Sequence, residues 1–127
     1  MLRLLLCVVI IYISGCASAR NEMSGTRVEF CDLIENAGFY DDVHLTTVAD
    51  VVVEFEVFAL RDSSCGPYML PMRLGSGQIP GLEELNSRFD GPGVESDVEV
   101  EGILRHDPHR VPSAVFELVR VNGQDIK

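Results

Sequence analysis

Between Val94 and Leu104 the sequence alternates without a break. Val94, Ser96, Val98, Val100, Gly102 and Leu104 fall on one side, and Glu95, Asp97, Glu99 and Glu101 on the other. Successive side chains of a strand point to opposite faces, so this pattern predicts a strand with one face on a core and the other in water. Four carboxylates along one strand face stand ~7 Å apart, too far to share an ion without a neighbouring strand. Glu54 and Glu56 are the acids that a neighbour would supply, and a solvated face is preferred to a calcium-type site.

The flanking segments supply the partners for such a strand. Val43 to Leu60 is rich in Val, Thr and Phe and contains no Gly or Pro, which predicts two strands or one bent by a bulge, with Val43, Leu45, Thr47, Ala49 and Val51 on one face. Asp62-Ser63-Ser64-Cys65-Gly66-Pro67 is a turn, and Tyr68 to Leu74 is a strand that Pro71 confines to an edge or a bulge. After a loop from Gly75 to Gly81, Leu82, Leu85 and Phe89 repeat at helical spacing. Ala114 to Val121 forms the last strand, with Val115, Glu117, Val119 and Val121 on one face and Phe116, Leu118 and Arg120 on the other. Ahead of all these, Phe30, Leu33, Ile34 and Ala37 give a short amphipathic helix over Val28 to Ala37, with Thr26 as N-cap and Gly38 as its stop. The expected fold is mainly β with short helices. Its element order matches the OB-fold, a five-stranded, partly open barrel, here preceded by a short N-terminal helix.

The first residues carry a different message. Arg3 is followed by an apolar run of ten residues from Leu4 to Ile13, then Ser14, Gly15 and Cys16. That is the layout of an export signal, and the run is half of the ~20 residues that a membrane-spanning helix needs. The stretch Ile13-Ser14-Gly15-Cys16 resembles the lipobox of bacterial lipoprotein precursors. The resemblance implies cleavage before Cys16 and acylation of its thiol, whereas in an ordinary secretory signal Cys16 is incidental. Two or three acyl chains, at ~0.8 kcal/mol per buried methylene, anchor a protein durably. Ala17 and Ser18 lack the Asp that the resemblance associates with retention in the inner membrane, so the outer membrane, facing the periplasm, is expected. The organisation is then a lipoprotein signal peptide over residues 1–15, a lipidated flexible tether over 16–27 and an OB-like domain over 28–127.

A second resemblance covers Val28 to Cys65. Cys31-Asp32-Leu33 followed by Asn36, then Tyr40-Asp41, is similar to a family of small bacterial lipoproteins in which a C-D-L-x-x-N helix and a Y-D turn lead into an OB-like barrel. A second Cys often follows the second strand in that family. The chain departs from the pattern at Asp42, where Gly or a polar turn residue followed by Lys or Arg is commoner. The resemblance implies a fold and no particular activity.

With Cys7 lost in the signal and Cys16 acylated, Cys31 and Cys65 remain. In an oxidising compartment a lone pair of thiols is expected to form a disulfide, in preference to a metal or redox pair, for which the Cys-x-x-Cys spacing is absent. Losing the signal removes Arg3 and no acid, leaving nine Lys and Arg against twenty Asp and Glu, a formal net charge of −11. Such a surface repels nucleic acid, and the basic residues Arg61, Arg73, Arg88, Arg105, Arg110 and Arg120 are scattered along the element order. The partners expected are the membrane, through Cys16, and an envelope protein, a glycan or a cation.

No pattern for catalysis is present. Ser63, Ser64 and Ser76 lie in turns outside any nucleophile motif, and His106-Asp107-Pro108-His109 reads as a polar loop rather than a metal clip, His44 standing apart from it. The expectation is a noncatalytic module without a cofactor or metal. The alternatives are an oligonucleotide-binding OB-fold, for which Phe55, Phe58 and Tyr68 are the candidate stacking aromatics, and an envelope-polymer hydrolase, which needs two convergent carboxylates.

Overall fold

The computed structural model describes residues 25–124. The expected signal, Cys7, the Cys16 lipid site and most of the tether lie outside these residues. The elements are β1 (Thr26–Arg27), α1 (Phe30–Glu35), β2 (His44–Glu54), β3 (Val57–Arg61), a 3-10 turn (Ser63–Cys65), β4 (Met69–Leu74), α2 (Leu82–Ser87), β5 (Gly93–His106) and β6 (Ala114–Gln124). Strands β2 to β6 close on themselves in the order β2-β3-β4-β6-β5-β2, all antiparallel except β4 with β6. The domain is a mainly-β, OB-like five-stranded barrel.

Closure is uneven. Strands β4 and β6 pair only through Met72, Arg73 and Leu74 against Phe116, Glu117 and Leu118, so Met69 to Pro71 and the start of β6 are not paired with each other. Pro71 sits at this corner, opposite Ala59 of β3 on its other side. A residue without an N–H can stand in a strand where no further ladder needs its donor, as its sequence context predicts.

The interior is filled by Leu45, Thr47, Ala49 and Val51 of β2, Leu60, Leu70 and Met72, Val98, Val100 and Leu104 of β5, and Phe116 and Leu118 of β6. Phe30 and Leu33 of α1 and Leu85 of α2 join this core, each buried. Gly102 keeps its place in the alternation because a Cβ there would overlap the Phe116 ring, 2.6 Å from Cε1, and the Glu117 carbonyl oxygen.

Two strands depart from strict alternation. Ala49 faces Val98 but Val51 faces Glu95, so β5 carries an extra residue around Ser96 and Asp97, and Asp97 has φ +52°. The bulge flips the phase of the strand. Val94 is therefore 46% exposed on the outer face, and Glu95 is not in one row with Glu99 and Glu101 as the pattern predicts. Likewise Gly102 faces Leu118 while Glu101 faces Arg120, which places the extra residue Val119 in β6 and turns Val121 inward with Phe116 and Leu118. The expected grouping of Val121 with Val115 and Glu117 is corrected by that insertion.

The N-terminal helix is shorter than Val28 to Ala37, and its N-cap position is held by Glu29, with no side-chain capping bond. Thr26 instead pairs with Leu45, and Arg27 with Thr46, so the expected tether already becomes a strand at its last two residues. Asp32 organises the exit from α1, accepting from Asn36 Nδ2 at 2.7 Å and from the Tyr40 hydroxyl at 2.6 Å. Asp41 then accepts from the His106 N–H at 2.8 Å, and Asp42, in the left-handed region at φ +64°, pairs with Arg105. Asp tolerates that conformation better than most side chains do. The Asp, Asn, Tyr and Asp of the C-D-L-x-x-N and Y-D segments thus fasten α1 and its following turn to the end of β5.

Candidate binding groove

At the corner where β4 and β6 part, the chain leaves a groove of about 570 Å³. Its walls are α1 (Leu33, Ile34, Glu35) with Ala37 just after it, Tyr68 and the start of β4 (Met69 to Pro71), Leu104, and the β5–β6 connection with the first residue of β6 (Pro112, Ser113, Ala114), so that Glu35 is the one ionisable group in an otherwise mostly apolar lining. Binding clefts for small molecules fall in this size range and are mostly apolar with a few polar groups. Tyr68 and Met69 stand at the rim, 66% and 46% exposed.

The groove depends on where α1 sits, and a covalent link sets that. Cys31 and Cys65 form a disulfide with their Cα atoms 5.4 Å apart, tying α1 to the 3-10 turn that follows β3 and precedes β4. Asp62 shapes that turn by accepting from the Ser64 hydroxyl at 2.7 Å and the Ser64 N–H at 2.9 Å. Those two hydrogen bonds, the hydroxyl one first, hold the Asp62 carboxyl below its ordinary range against the opposing effect of desolvation.

A second pocket, of about 360 Å³, adjoins the groove through Pro112 and Ser113, which line both. Arg73, Arg105 and Arg110 line it together with Asp41, Asp42 and Asp107, giving equal numbers of guanidinium and carboxylate groups, with His106 beside them. Three arginines that the sequence order scatters are therefore brought to one place by adjacent strands. None of them is an isolated cation. Arg73 meets Glu117 at 2.7 Å, Arg105 pairs with Asp42 and lies 3.6 Å from Glu117, and Arg110 lies 3.4 Å from Asp107. The Arg73 hydrogen bond, with the nearby charge of Arg105, lowers the Glu117 carboxyl below its ordinary value despite desolvation.

The same pairing continues over the outer face of β5. Glu99 meets Arg27 at 3.3 Å, and Glu101 lies between His44, 3.1 Å away and outside hydrogen-bond geometry, and Arg120, 3.9 Å away. Arg88 pairs with Glu84, whereas the Nε of Arg61 is buried without a hydrogen-bond partner. Glu99 and Glu101 are thus taken by different neighbours, and among the described residues no three of Glu95, Asp97, Glu99 and Glu101 bring their carboxylates to a common point.

The remaining sequence candidates have structural surroundings. The His109 N–H donates to Asp107 at 3.0 Å and the Arg110 N–H to the Asp107 carbonyl, which makes His106 to Arg110 a tight turn. Ser64 is engaged by Asp62, and its hydroxyl lies 3.5 Å from the Cys31 sulfur. Among the described residues Cys31, Asp62 and Cys65 form the one group of three with ligand atoms close together, but both sulfurs are committed to the disulfide and are not thiolates. Of the candidate aromatics, Phe55 is 83% exposed and Tyr68 lines the groove, while Phe58 packs on the core. Phe39, not singled out by sequence, is 82% exposed and stands edge-on to Tyr40.

The groove itself was not marked by any motif. Its signal in the sequence is indirect: a proline inside a strand, Pro71, and an unmatched apolar cluster around Tyr68 to Leu70. Among the described residues no helix is long and apolar enough to cross a membrane. No protein-family model matches the chain, and no curated protein matches it either.

Proposed function

We propose that the protein is an extracytoplasmic lipoprotein, anchored to the outer membrane through Cys16, whose barrel is a noncatalytic binding module of the cell envelope. The observation that carries the binding role is the apolar groove between α1, β4 and the β5–β6 connection, held by the Cys31–Cys65 disulfide. The anchoring role is supported by the resemblance of Ile13 to Cys16 to a lipobox. An aliphatic lining offers little to a glycan, which needs many hydrogen bonds, and the paired carboxylates offer little to a cation. An apolar ligand suits the lining best.

An oligonucleotide is disfavoured because Arg73, Arg105 and Arg110 already have carboxylate partners, so a phosphate backbone would meet an acid beside each of them. Two experiments test the two parts of the proposal separately. Cys16→Ser should abolish acylation and release the protein from the membrane fraction, and an acylated, membrane-bound Cys16→Ser product would contradict the anchor. The uncharged fluorophore N-phenyl-1-naphthylamine should brighten on binding the groove, and Met69→Glu, at the rim, should remove that response without unfolding the domain. Undiminished fluorescence in a folded Met69→Glu variant would contradict the groove.

A further inference from the structure

Resting on the proposed anchor at Cys16, we infer that one end of the barrel lies against the bilayer that holds the anchor, with Phe39 and Val111 entering its lipid surface. Strand β1 fixes which end. It runs parallel to β2 with Thr26 opposite Leu45, so the chain joins the barrel at the end where β2 begins. β5 finishes at that same end, because His44 stands opposite Ile103. The loop before β2 (36–43) and the loop after β5 (107–113) therefore project there side by side. The Asp42 N–H donates to the Leu104 carbonyl at 2.8 Å, Asp41 accepts from the His106 N–H, and residues of both loops line the pocket around Arg105.

Each loop leaves one large apolar side chain open to its surroundings. Phe39 is 82% exposed and Val111 100% exposed. Their neighbours are Gly38 and Tyr40 on one loop and Arg110 and Pro112 on the other, with no carboxylate next to either. Apolar side chains so placed gain by entering the boundary between headgroups and acyl chains, and an arginine stem beside them lets its charge stay among the headgroups. Phe55, at the opposite end, is as exposed at 83%, but it stands between Glu54 and Glu56, whose carboxylates would have to leave water with it. Reach points the same way. The nine residues between Cys16 and Thr26 span at most about 35 Å. Phe55 lies ten residues beyond Leu45 along the chain of β2, about 30 Å away at the rise of a strand. Bringing Phe55 to the bilayer would draw the tether out to nearly its full length, whereas Phe39 and Val111 reach it with most of that length to spare.

The chain has no tryptophan, so a single one placed at either end is an unambiguous reporter. The acylated protein carrying Phe39→Trp, Val111→Trp or Phe55→Trp is reconstituted into vesicles of phosphatidylethanolamine and phosphatidylglycerol, with and without brominated acyl chains, and each variant is checked for folding by its urea midpoint. Bromine quenches only at short range. Phe39→Trp and Val111→Trp should each lose about half of their emission or more, as side chains at the headgroup–acyl boundary do, while Phe55→Trp keeps its own. Adding Val111→Glu to Phe39→Trp should restore the emission, since a carboxylate on the adjoining loop resists entry into lipid. Equal quenching at all three positions, quenching of Phe55→Trp alone, or a Phe39→Trp signal that Val111→Glu leaves quenched overturns the orientation. Vesicle-bound protein with position 39 or 111 unquenched overturns it too and leaves the anchor standing, whereas protein that does not float with the vesicles removes the anchor and the orientation with it.

Discussion

Two regions of the barrel use their side chains in opposite ways. Over β5, β6 and the end of β4, the outer face is a lattice of ion pairs in which Arg73, Glu117, Arg105 and Asp42 are linked in one chain and His44, Glu101 and Arg120 lie close together beside it. At the corner between β4 and β6, the surface is apolar, and Tyr68 and Met69 are left without an apolar partner on their outer side. The arginines of this wall are matched by carboxylates, whereas the surface at the corner is largely apolar. The large negative charge of the sequence therefore says less about partners than a gap three residues long in one strand pairing does.

The largest expected effect comes from releasing the helix that walls the groove. Replacing both Cys31 and Cys65 by Ala opens a loop spanning 34 residues, which costs about 3.5–4 kcal/mol on the chain-entropy account. Urea unfolding should show that loss, and the probe response of the groove should fall with it while the outer face of β5 keeps its hydrogen-exchange protection. A loss below ~1 kcal/mol would mean that packing of Phe30 and Leu33 alone holds α1.

A smaller effect of opposite sign is expected inside the barrel that both regions share. The Thr47 hydroxyl is buried without a hydrogen-bond partner. Thr47→Val should raise stability by about 1 kcal/mol, because it removes an unsatisfied polar group at nearly constant shape. A destabilised variant would show that the hydroxyl has a partner in solution.

The wall of ion pairs should yield the least. Glu117→Gln breaks contacts to Arg73 and Arg105, whose side chains are 56% and 40% exposed, so at neutral pH it should cost less than ~1 kcal/mol. Because folding lowers the Glu117 carboxyl below its ordinary value of 4.5, its contribution is complete above that value and is lost as pH falls through the lowered one. Glu117→Gln should remove that acid-side slope. At the other end of the scale, the Asp32 carboxylate, by accepting the Tyr40 hydroxyl, raises the phenol above its ordinary 10.0, so this contribution holds below that pH and fades as alkali drives it through the raised value. Ultraviolet titration of Asp32→Asn should find Tyr40 ionising at lower pH than in the unaltered protein.

The barrel was legible because β2 and the later part of β5 alternate faithfully, and because Pro71 and the Gly75 to Gly81 loop punctuate the chain where strands end or lack a neighbour. What was not legible came from residues that break local rules without announcing it. The β2–β3 turn is Phe55-Glu56, both at positive φ (41° and 76°), where Asn-Gly is the usual signal, so Val43 to Leu60 gave no sign of where one strand becomes two. The extra residue of β5 lies at Ser96 and Asp97 and those of β6 are Val119 and Asn122, none a glycine, and each reverses the phase of the strand where it stands. The groove depends on a strand pairing that stops short, which no single residue declares. The disulfide was legible by elimination of the other two cysteines, whereas the gathering of Arg73, Arg105 and Arg110 required the order of strands around the barrel.

The contrast between the two regions can be measured in one experiment. N-phenyl-1-naphthylamine fluorescence is followed with the unaltered domain, with Met69→Glu at the groove rim and with Glu117→Gln in the ion-pair lattice, each checked for folding by its urea midpoint. A rise in emission that Met69→Glu abolishes and Glu117→Gln leaves intact is the expected result. Equal loss in both variants, or emission that neither changes, would contradict the assignment of the groove as the binding surface and of the charged wall as scaffold.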